Sequence, residues 1–439
     1  MIPPEVQAVL HTLKRAGHQA YVVGGCVRDM EMGVPPHDWD VTTSALPEET
    51  MALFDHFAIP TGLKHGTVTV RSGGLCCEVT TFRADGAYAD HRHPASVTFT
   101  RSLTEDLARR DLTVNAMAMD AAGTLYDPFG GREDLRRRML RCVGDPLRRF
   151  QEDALRILRT LRFCATLEGF SIAPDTRHAL YARRNDLRYV AAERVREELT
   201  KLLCGRDAGK VLLEEYAVLG VVLPEILPCV GFDQHNRHHC YDVWGHTAHA
   251  VAAVPPDPVL RWAMLLHDLG KPACFTLDEE GVGHFHGHHR ISFGIAEDIC
   301  RRLRFDRAAA QQICTLVRYH DRPIPLTERG IRRAMNQFGV EGLRQLCAVK
   351  RADNLAQHPD YRGRQQEIDC GEAMMDALLA RHACFSLKQL AVKGQDMMAL
   401  GLKGPAVGRM LQTLLEAVMD GGVENEREAL LALAAKLRK

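Results

Sequence analysis

The chain has 439 residues, too many for one compact core, so two to four domains are expected. Its 56 Lys and Arg balance its 56 Asp and Glu, which excludes a generally basic, chromatin-like protein but not a local basic groove. No apolar run approaches the roughly 20 residues of a membrane span, and the N-terminal segment lacks the basic-then-apolar pattern of a signal peptide. We therefore expect no membrane partner and a cytoplasmic protein, in which most of the 14 scattered cysteines act as small apolar residues.

The N-terminal part of the chain alternates short apolar runs with turn signals. Residues 5–16 predict an amphipathic helix, and Tyr21-Val22-Val23 predicts a strand that ends in a tight turn. Further strands are predicted at residues 38–42, 67–70, 77–82, 113–119 and 124–126. The polar segment 84–96 predicts a mobile loop. Beyond about Arg132 helical periodicity dominates, so the sequence predicts an α+β head followed by an almost all-helical body.

The sequence Asp38-Trp39-Asp40 is the sharpest chemical feature of the head. Residues i and i+2 of a strand point to the same face, and two convergent carboxylates repel each other unless a cation lies between them. Ligands made only of oxygen suit Mg²⁺. Two such ions can activate an attacking 3′ hydroxyl and neutralise a leaving pyrophosphate. On these residues alone, a solvated turn is the simpler explanation.

A glycine pair precedes the acidic pair. Gly24-Gly25 stands before a predicted helix start, where a backbone without Cβ atoms lets a phosphate approach the amide groups. Arg28 lies one turn further and can bind a phosphate with its forked guanidinium. A plain turn and a surface arginine are the alternatives.

These features occur together in one known family. VVGGCVRD followed by DWD resembles the signature of the tRNA nucleotidyltransferase and poly(A) polymerase family, in the class that includes CCA-adding enzymes and belongs to the polymerase-β-like nucleotidyltransferases. Further family motifs follow in order: GLKHGTVTV, CEVTTFRADGAYADHRHP, EDLARRDLTVNAMAMD, DPFGGREDL, EDALRILRTLRF and AERVREEL. The resemblance implies a polymerase-β-like head, a helical neck, and transfer of nucleotides to tRNA.

The resemblance also implies roles for single residues. Asp38 and Asp40 would hold catalytic Mg²⁺, and Glu78 is either a third acidic ligand or a structural strand residue. The implied nucleotide-binding residues of the head are Gly25 and Arg28 at the triphosphate, Arg110 at the nucleotide, and Asp111 and Asn115 on the ribose side.

The run from Glu152 to Arg162 carries a charged residue at every third position. The predicted stripe on one helix consists of Asp153, Arg156, Arg159 and Arg162. Asp accepts hydrogen bonds and Arg only donates them, so the stripe can match a Watson–Crick edge; an i,i+3 salt-bridge ladder is the alternative. The resemblance implies a protein template for C and then A, and a loop at 84–96 that helps the switch, which favours CCA over CC addition.

Arginines also cluster just before this stripe. They are Arg136, Arg137, Arg138, Arg141, Arg148 and Arg149. Such a cluster can follow RNA phosphates, which are bound mainly by charge. A charged helix surface is the alternative.

A second site is indicated by histidines between residues 235 and 320. His267-Asp268 follows an apolar run, as expected for a ligand pair at the end of a buried helix. The order of such residues resembles that of the HD phosphohydrolase superfamily. The resemblance implies one metal held by His246, His267, Asp268 and Asp353, and a second position completed by His288 and His320.

Imidazole nitrogen with carboxylate oxygen suits Mn²⁺, Fe²⁺, Ni²⁺, Co²⁺ or Zn²⁺ better than Mg²⁺ alone. Hydrolysis of phosphoesters, including the 2′,3′-cyclic ends of damaged RNA, is a hypothesis, because other members of the family keep an HD unit for its shape. His284, His286 and His289 are interpreted as surface or supporting groups.

The predicted organisation has four parts: a nucleotidyltransferase head at 1–145, a nucleotide-selecting and RNA-binding neck at 146–230, an HD-type metal-binding helical domain at 231–360, and a helical RNA-binding region at 361–439. The predicted function is addition of C, C and A to tRNA 3′ ends from CTP and ATP without a nucleic-acid template. The alternatives are a poly(A) polymerase, an enzyme that adds only CC or only A, and a phosphohydrolase whose head merely binds nucleotide.

Overall fold

A computed structural model describes residues 1–63, 66–85 and 97–438. The chain divides into an N-terminal unit, Met1–Leu227, and a C-terminal unit, Pro228–Lys439. Each unit is described by itself. Residues 86–96 of the predicted loop lie outside the described residues.

The N-terminal unit contains a mixed sheet and surrounding helices. Its strands are β1 (Ala20–Val23), β2 (Trp39–Thr43), β3 (Ala58–Gly62), β4 (Thr67–Ser72), β5 (Leu75–Thr81), β6 (Arg83–Asp85), β7 (Val97–Phe99), β8 (Ala118–Met119), β9 (Leu125–Tyr126), β10 (Met139–Leu140) and β11 (Ser171–Ile172). Its helices are α1 (Pro4–Arg15), α2 (Gly25–Glu31), α3 (Pro47–Phe54), α4 (Leu103–Ala108), α5 (Gly131–Arg136), α6 (Pro146–Glu152), α7 (Leu155–Thr166), α8 (Pro174–Arg183), α9 (Ala192–Leu203), α10 (Ala208–Glu214) and α11 (Tyr216–Val222).

Seven strands form the main sheet in the order β3-β4-β5-β2-β1-β8-β9. β2 and β5 run parallel, and their register sets Asp40 beside Glu78. The apolar stripe of α1, which includes Leu10 and Leu13, packs with Val22 and other inward residues of the strands. The rigid centre of the head therefore lies beneath β1 and β2, the strands that carry the predicted site.

The C-terminal unit is almost entirely helical. Its helices are α12 (Val243–Ala253), α13 (Pro258–Leu266), α14 (His288–Arg302), α15 (Arg307–Tyr319), α16 (Glu328–Leu355), α17 (Arg364–Ala380), α18 (Gly394–Ala399), α19 (Pro405–Met419) and α20 (Arg427–Leu437). Two short strands, β12 (Thr276–Leu277) and β13 (Gly283–His284), pair with each other. Aspartates at 242, 257 and 306 cap α12, α13 and α15 by accepting from backbone amides, which fixes where these helices begin. No helix in the described part is long and apolar enough to cross a membrane.

The predicted order of a sheet-bearing head and a helical body is confirmed. The strand prediction at 113–119 is wrong over Thr113–Asn115, which form a short 3-10 helix. A tertiary contact outweighs the strand preference of the β-branched residues here, because the hydroxyl of Thr113 donates to the buried carboxylate of Asp134 at 2.7 Å. The other predicted strands are present with shifted ends.

Candidate nucleotide site and metal centre

Gly24 and Gly25 join β1 to α2. Gly24 has a φ of +79°, in the left-handed region that most side chains avoid. A Cβ at Gly24 would lie 2.8 Å from Nη1 of Arg110. The turn therefore requires glycine for both conformation and space, and it leaves the backbone open to a phosphate beside an arginine.

Arg28 lies one turn into α2 and faces a hydrogen-bonded chain. Its Nη1 donates to Oδ1 of Asn115 at 2.8 Å, and its Nε and Nη2 donate to Oδ1 of Asp29. The amide of Asn115 donates in turn to Oδ1 of Asp111 at 3.3 Å. The structure thus brings the predicted triphosphate residue and the two predicted ribose residues together.

The acidic pair straddles the start of β2. Asp40 lies within the strand, whereas Asp38 precedes Trp39, the first strand residue, and is exposed. The expectation that both belong to one strand is therefore wrong for Asp38. The turn after α2 runs up to Asp38, so the ladder with β5 begins one residue later.

The pKa of Asp40 depends on burial and on the charges of its neighbours. Burial raises the pKa of Asp40, the charge of Arg110 opposes this, and the charges of Glu78 and Asp38 raise the pKa further. Within the described residues these three carboxylates do not form a group with all ligand atoms inside 4.8 Å. The donor set consists only of oxygens whose mutual repulsion a cation would relieve, which fits Mg²⁺.

Asp111 connects the head to α7. Its Oδ2 accepts from Nε of Arg159 at 2.7 Å. Burial acts to raise the pKa of Asp111, but the charge of Arg159 and its hydrogen bonds outweigh burial and hold the pKa well below its usual range. Asp111 is therefore a fixed negative charge between the ribose-side residues and the arginine stripe.

The arginine stripe lies on α7, but Asp153 does not. Asp153 has extended backbone between α6 and α7, and its Oδ1 accepts from the amide of Leu155 at 3.0 Å. The prediction of one continuous helical stripe is wrong at this residue, because an aspartate competes for backbone amides at a helix start. Its Oδ2 is also 3.0 Å from Nη2 of Arg194 on α9, an interaction that the sequence did not identify.

Arg156 is the most buried member of the stripe, with 8% of its surface exposed. Its Nη1 donates to Oε2 of Glu152 at 2.8 Å, and its Nη2 donates to the carbonyl of Arg109 at 2.9 Å. Arg162 lies 2.9 Å from Glu198 on α9. The stripe is thus anchored on the head and on α9, which a solvated salt-bridge ladder would not be.

One cavity of about 470 Å³ brings these elements together. The lining residues are Gly24, Gly25, Arg28, Asp40, Arg109, Arg110, Asp111, Asn115, Asp153, Leu155, Arg156, Arg159, Arg162, Phe163 and Arg194. Seven arginines face three aspartates, so the cavity favours an anionic ligand. Asp38 is not among the described lining residues.

Asp106 is a buried residue of the head that the sequence analysis missed. It is fully buried, and its Oδ1 accepts from Nε of Arg109 at 2.9 Å while its Oδ2 accepts from the hydroxyl of Thr42 at 2.9 Å. Oδ2 also lies 3.9 Å from Arg110. The i,i+3 and i,i+4 spacing to Arg109 and Arg110 was visible in the sequence, but the contact with Thr42, 64 residues away, was not.

The predicted basic cluster is largely paired with acidic side chains. Ion pairs within 4 Å join Arg136 and Arg137 to Glu133, Arg141 to Asp134, and Arg148 and Arg149 to Glu152. This arrangement reduces the positive charge available to RNA and favours the charged-surface alternative for these residues.

The histidine and aspartate ligand candidates of the C-terminal unit converge from five elements. His246 lies in α12, His267-Asp268 follow α13, His288 begins α14, His320 ends α15 and Asp353 lies in α16. Nε2 of His246 is 2.9 Å from Oδ1 of Asp353 and 3.5 Å from Oδ2 of Asp268. The structure therefore brings all six predicted residues into one cluster.

Asp268 lies at the centre of the cluster. Its Oδ2 is 3.2 Å from Nε2 of His267, while its Oδ1 is 3.4 Å from Nε2 of His288 and 3.7 Å from Nε2 of His320. The two oxygens of one carboxylate thus serve two groups of imidazoles. This is the arrangement that two adjacent metal ions sharing an aspartate require.

The donor atoms fit metal ions on two further observations. Nε2 of His267 is fully buried and is not in hydrogen-bonding geometry with a described group, although it faces Oδ2 of Asp268 at 3.2 Å. Burial disfavours the charged form of His267, but the carboxylates of Asp268 and Asp353 outweigh it and raise the pKa of His267 to about 10. The same carboxylates would attract a metal cation.

Two neighbours of the cluster were not identified from the sequence. Nζ of Lys271 lies 2.7 Å from Oδ2 of Asp268 and donates to Oε1 of Gln234 at 2.8 Å. The ring of His239 lies edge-on to His246 at 5.0 Å. Lys271 stands three residues after Asp268 and its side chain turns back onto that carboxylate, a role that the sequence analysis did not assign to it.

The supporting histidines differ in their surroundings. His284 pairs with Asp278 at 2.7 Å and its ring stacks on His286. His289 instead lies near Asp321 and His288, with ligand atoms within 4.8 Å of one another.

Comparison with known proteins identifies the class of protein to which the head and the helical body belong. Residues 20–141 match the family model of the poly(A) polymerase head domain. Residues 169–229 match a model described as the probable RNA and SrmB-binding site of polymerase A, and residues 290–434 match tRNA nucleotidyltransferase domain 2. Together with the acidic pair and the arginine-lined cavity, these matches define a nucleotidyltransferase of the polymerase-β-like class.

Proteins that are similar over the whole chain narrow the class to one family. The CCA-adding enzyme of Geobacillus stearothermophilus is 37% identical over 98% of this chain and 97% of its own length. The crystal structure of the Bacillus stearothermophilus CCA-adding enzyme in complex with CTP has a TM-score of 0.76 at 33% identity, over 100% of this chain and 98% of that one. A Thermotoga maritima CCA-adding enzyme complexed with tRNA, 20% identical with a TM-score of 0.57 over 100% of this chain and 97% of that one, shares the fold.

The chain belongs to the family of CCA-adding enzymes. The family is one of nucleotidyltransferases that use a divalent metal, and the predicted enzyme class is confirmed. A phosphohydrolase whose head merely binds nucleotide is thereby excluded as the primary function.

Proposed function

We propose that this protein adds C, C and A in turn to the 3′ end of tRNA from CTP and ATP, with its reaction centre at Asp38, Asp40 and the adjoining cavity. The observation that carries the proposal is the shared cavity, in which Asp40 of the head and Arg156 of α7 line the same space as the glycine pair. The similar structures contain CTP in one case and tRNA in another, which supports these ligands.

The carboxylates Asp38 and Asp40 would hold Mg²⁺. Bound there, Mg²⁺ would promote ionisation of the attacking 3′ hydroxyl and stabilise charge on the departing pyrophosphate. Gly25 and Arg28 would bind the triphosphate, with Arg110 beside the turn. Preorganised donors of this kind stabilise charge that develops during phosphoryl transfer.

The remaining cavity residues would select the base and orient the ribose. Asp153 accepts hydrogen bonds and Arg156 donates them, so together they can read the edge of C or A. Asp111 and Asn115 would orient the ribose, and Arg159 and Arg162 complete the proposed template. The neck at 146–230 and the region at 361–439 would contact the tRNA.

The test is nucleotide incorporation into tRNA transcripts that lack CCA, with CTP and ATP supplied singly and together. We expect CC from CTP alone and CCA from both. Asp38→Ala and Asp40→Ala should each abolish incorporation, whereas Glu48→Ala, an exposed acidic residue of the same head, should retain it. Long A tails without C would contradict the proposal and favour poly(A) synthesis, and a stop after CC would favour a restricted enzyme.

A second function is favoured by the six-residue cluster of the C-terminal unit. We propose that His246, His267, Asp268 and Asp353 bind one metal ion and that His288 and His320 complete a second position, with Mn²⁺, Ni²⁺, Fe²⁺ or Co²⁺ as suitable ions. Bound metal would activate water for attack on a phosphoester. The support is the buried Nε2 of His267, which makes no hydrogen bond within the described structure and faces Oδ2 of Asp268 at 3.2 Å.

Metal content and hydrolysis test this second function separately. Protein incubated with Mn²⁺ or Ni²⁺ and then freed of loose ions should retain metal, and Asp268→Ala should lose it. The loaded protein should hydrolyse 2′,3′-cyclic phosphates or simple phosphodiesters. Retained metal without turnover of any phosphoester would contradict hydrolysis, and the absence of retained metal would contradict the site itself.

A further inference from the structure

Phe163 lies at an unusual convergence of positive charge in the nucleotide cavity. The guanidinium carbon of Arg162 is 3.9 Å from the centre of the Phe163 ring, that of Arg28 is 5.2 Å away and that of Arg159 is 5.7 Å away. All three distances fall within the range in which a cation is attracted to an aromatic ring. Phe163 is 6% exposed and lines the cavity.

The ring joins the two sides of the cavity. Arg28 belongs to α2, next to the glycine turn, whereas Arg159 and Arg162 belong to α7, as does Phe163 itself. The contact between Arg28 and Phe163 therefore connects the proposed triphosphate residue to the helix that carries the proposed template.

The chemistry of the ring explains why an aromatic residue serves this position. Three neighbouring guanidiniums repel one another, and each already has one carboxylate nearby: Asp29, Asp111 and Glu198. A further carboxylate would hold the arginines but would neutralise their charge and compete with a triphosphate. The negative face of an aromatic ring attracts cations without carrying a net charge, so the arginines stay together and the cavity stays positive.

We propose that Phe163 is a positioning residue that keeps Arg28 at the triphosphate, next to the template arginines Arg159 and Arg162. The inference rests on the proposed triphosphate role of Arg28. Because CTP and ATP share the triphosphate, displacement of Arg28 should weaken the binding of both nucleotides.

The primary test replaces Phe163 with phenylalanine analogues that carry increasing numbers of ring fluorines, in the full-length protein. Fluorination withdraws charge from the ring face and leaves its shape nearly unchanged. KM for CTP and KM for ATP should rise together and stepwise with fluorination, while kcat at saturating nucleotide stays constant. Unchanged KM values, or a change for only one nucleotide, would overturn the proposal.

Phe163→Leu extends the test to complete loss of the ring. We expect both KM values to rise about tenfold, equivalent to about 1.4 kcal/mol. Phe150→Leu is the matched control, since Phe150 is a fully buried aromatic residue of α6 outside the lining of the cavity. It should lower the melting temperature without raising either KM. Equal rises in KM for the two leucine variants would identify a merely structural role and overturn the proposal.

The variant Arg28→Ala distinguishes a failure of this inference from a failure of the proposed triphosphate role of Arg28. If Arg28→Ala leaves both KM values unchanged, the proposed triphosphate role fails and the inference fails with it. If Arg28→Ala raises both KM values but fluorination of Phe163 does not, only the role of Phe163 is overturned.

Discussion

Asp106 illustrates how a single buried charge organises the head. Its carboxylate accepts from Arg109 and from Thr42, and the backbone amide of Arg83 lies 3.3 Å from Oδ1. These partners come from α4, β2 and β6, so the residue fixes the segment that carries Arg110. A buried carboxylate is tolerated here because each oxygen has donors.

Removing this carboxylate should destabilise the protein. Asp106→Ala leaves Arg109 and the hydroxyl of Thr42 without their acceptor, and loss of one partner of a buried ion pair costs about 3 kcal/mol. The free energy of unfolding of the N-terminal unit, measured in urea, should fall accordingly. Glu105→Ala, at the exposed neighbouring position, should change it by less than about 0.5 kcal/mol. Equal effects of the two substitutions would show that the buried interactions of Asp106 contribute nothing.

The histidine–aspartate cluster of the C-terminal unit depends on how closely the surrounding helices and turns approach each other. Gly270 follows His267-Asp268, and a Cβ at Gly270 would lie 2.6 Å from the carbonyl of His288 and 2.7 Å from the amide of Ser292. The turn after α13 therefore packs against the first turn of α14, backbone to backbone. That contact sets the separation of Asp268 and His288.

Gly270→Ala should force these two elements apart. We expect a loss of stability of about 1–3 kcal/mol, as for overpacking, together with weaker retention of Mn²⁺. The matched control is Gly294→Ala within α14, where a Cβ would meet nothing within 4 Å, and which should stabilise the helix by about 0.8 kcal/mol. Thermal melts and metal analysis of both variants provide the measurement. Normal stability and metal content in Gly270→Ala would refute this account of the contact.

At the scale of the whole molecule, the chain combines two sites with different donor chemistry. The head offers only carboxylate oxygens at Asp38 and Asp40, whereas the C-terminal cluster mixes imidazoles with carboxylates. Hard oxygen ligands suit Mg²⁺, and mixed nitrogen and oxygen ligands suit later transition metals. The two metal requirements should therefore be separable in one protein.

Thermal unfolding with Mn²⁺ tests this separation. At an ion concentration 100 times the Kd, binding should stabilise the folded protein by about 2.7 kcal/mol and raise the melting temperature. The increase should persist in the double variant Asp38→Asn and Asp40→Asn, in which we expect no nucleotide addition. It should vanish in His267→Ala, in which Mg²⁺-dependent incorporation continues. Loss of the stabilisation in the head variant would contradict the assignment of Mn²⁺ to the C-terminal unit.

The sequence by itself determined the class of protein, the glycine turn, the acidic pair and the identity of the six residues that converge in the C-terminal unit. These features are local or ordered along the chain: a turn needs glycine where φ is positive, and helix ends place ligands such as His267 and His320 at fixed points. The α7 arginines were also evident, because helical spacing alone puts them on one side.

Only the tertiary structure decided which groups hold these residues in place. Asp153 lies outside the predicted helix because its carboxylate accepts from a backbone amide and pairs with Arg194. Thr113 lies outside the predicted strand because its hydroxyl donates to Asp134. Asp106, Lys271 and Phe163 each combine a near neighbour in sequence with a distant partner; the distant partners are Thr42, Gln234 and Arg28. Such contacts depend on how separate elements pack, and neither periodicity nor motif spacing encodes the distance between two side chains that the fold brings together.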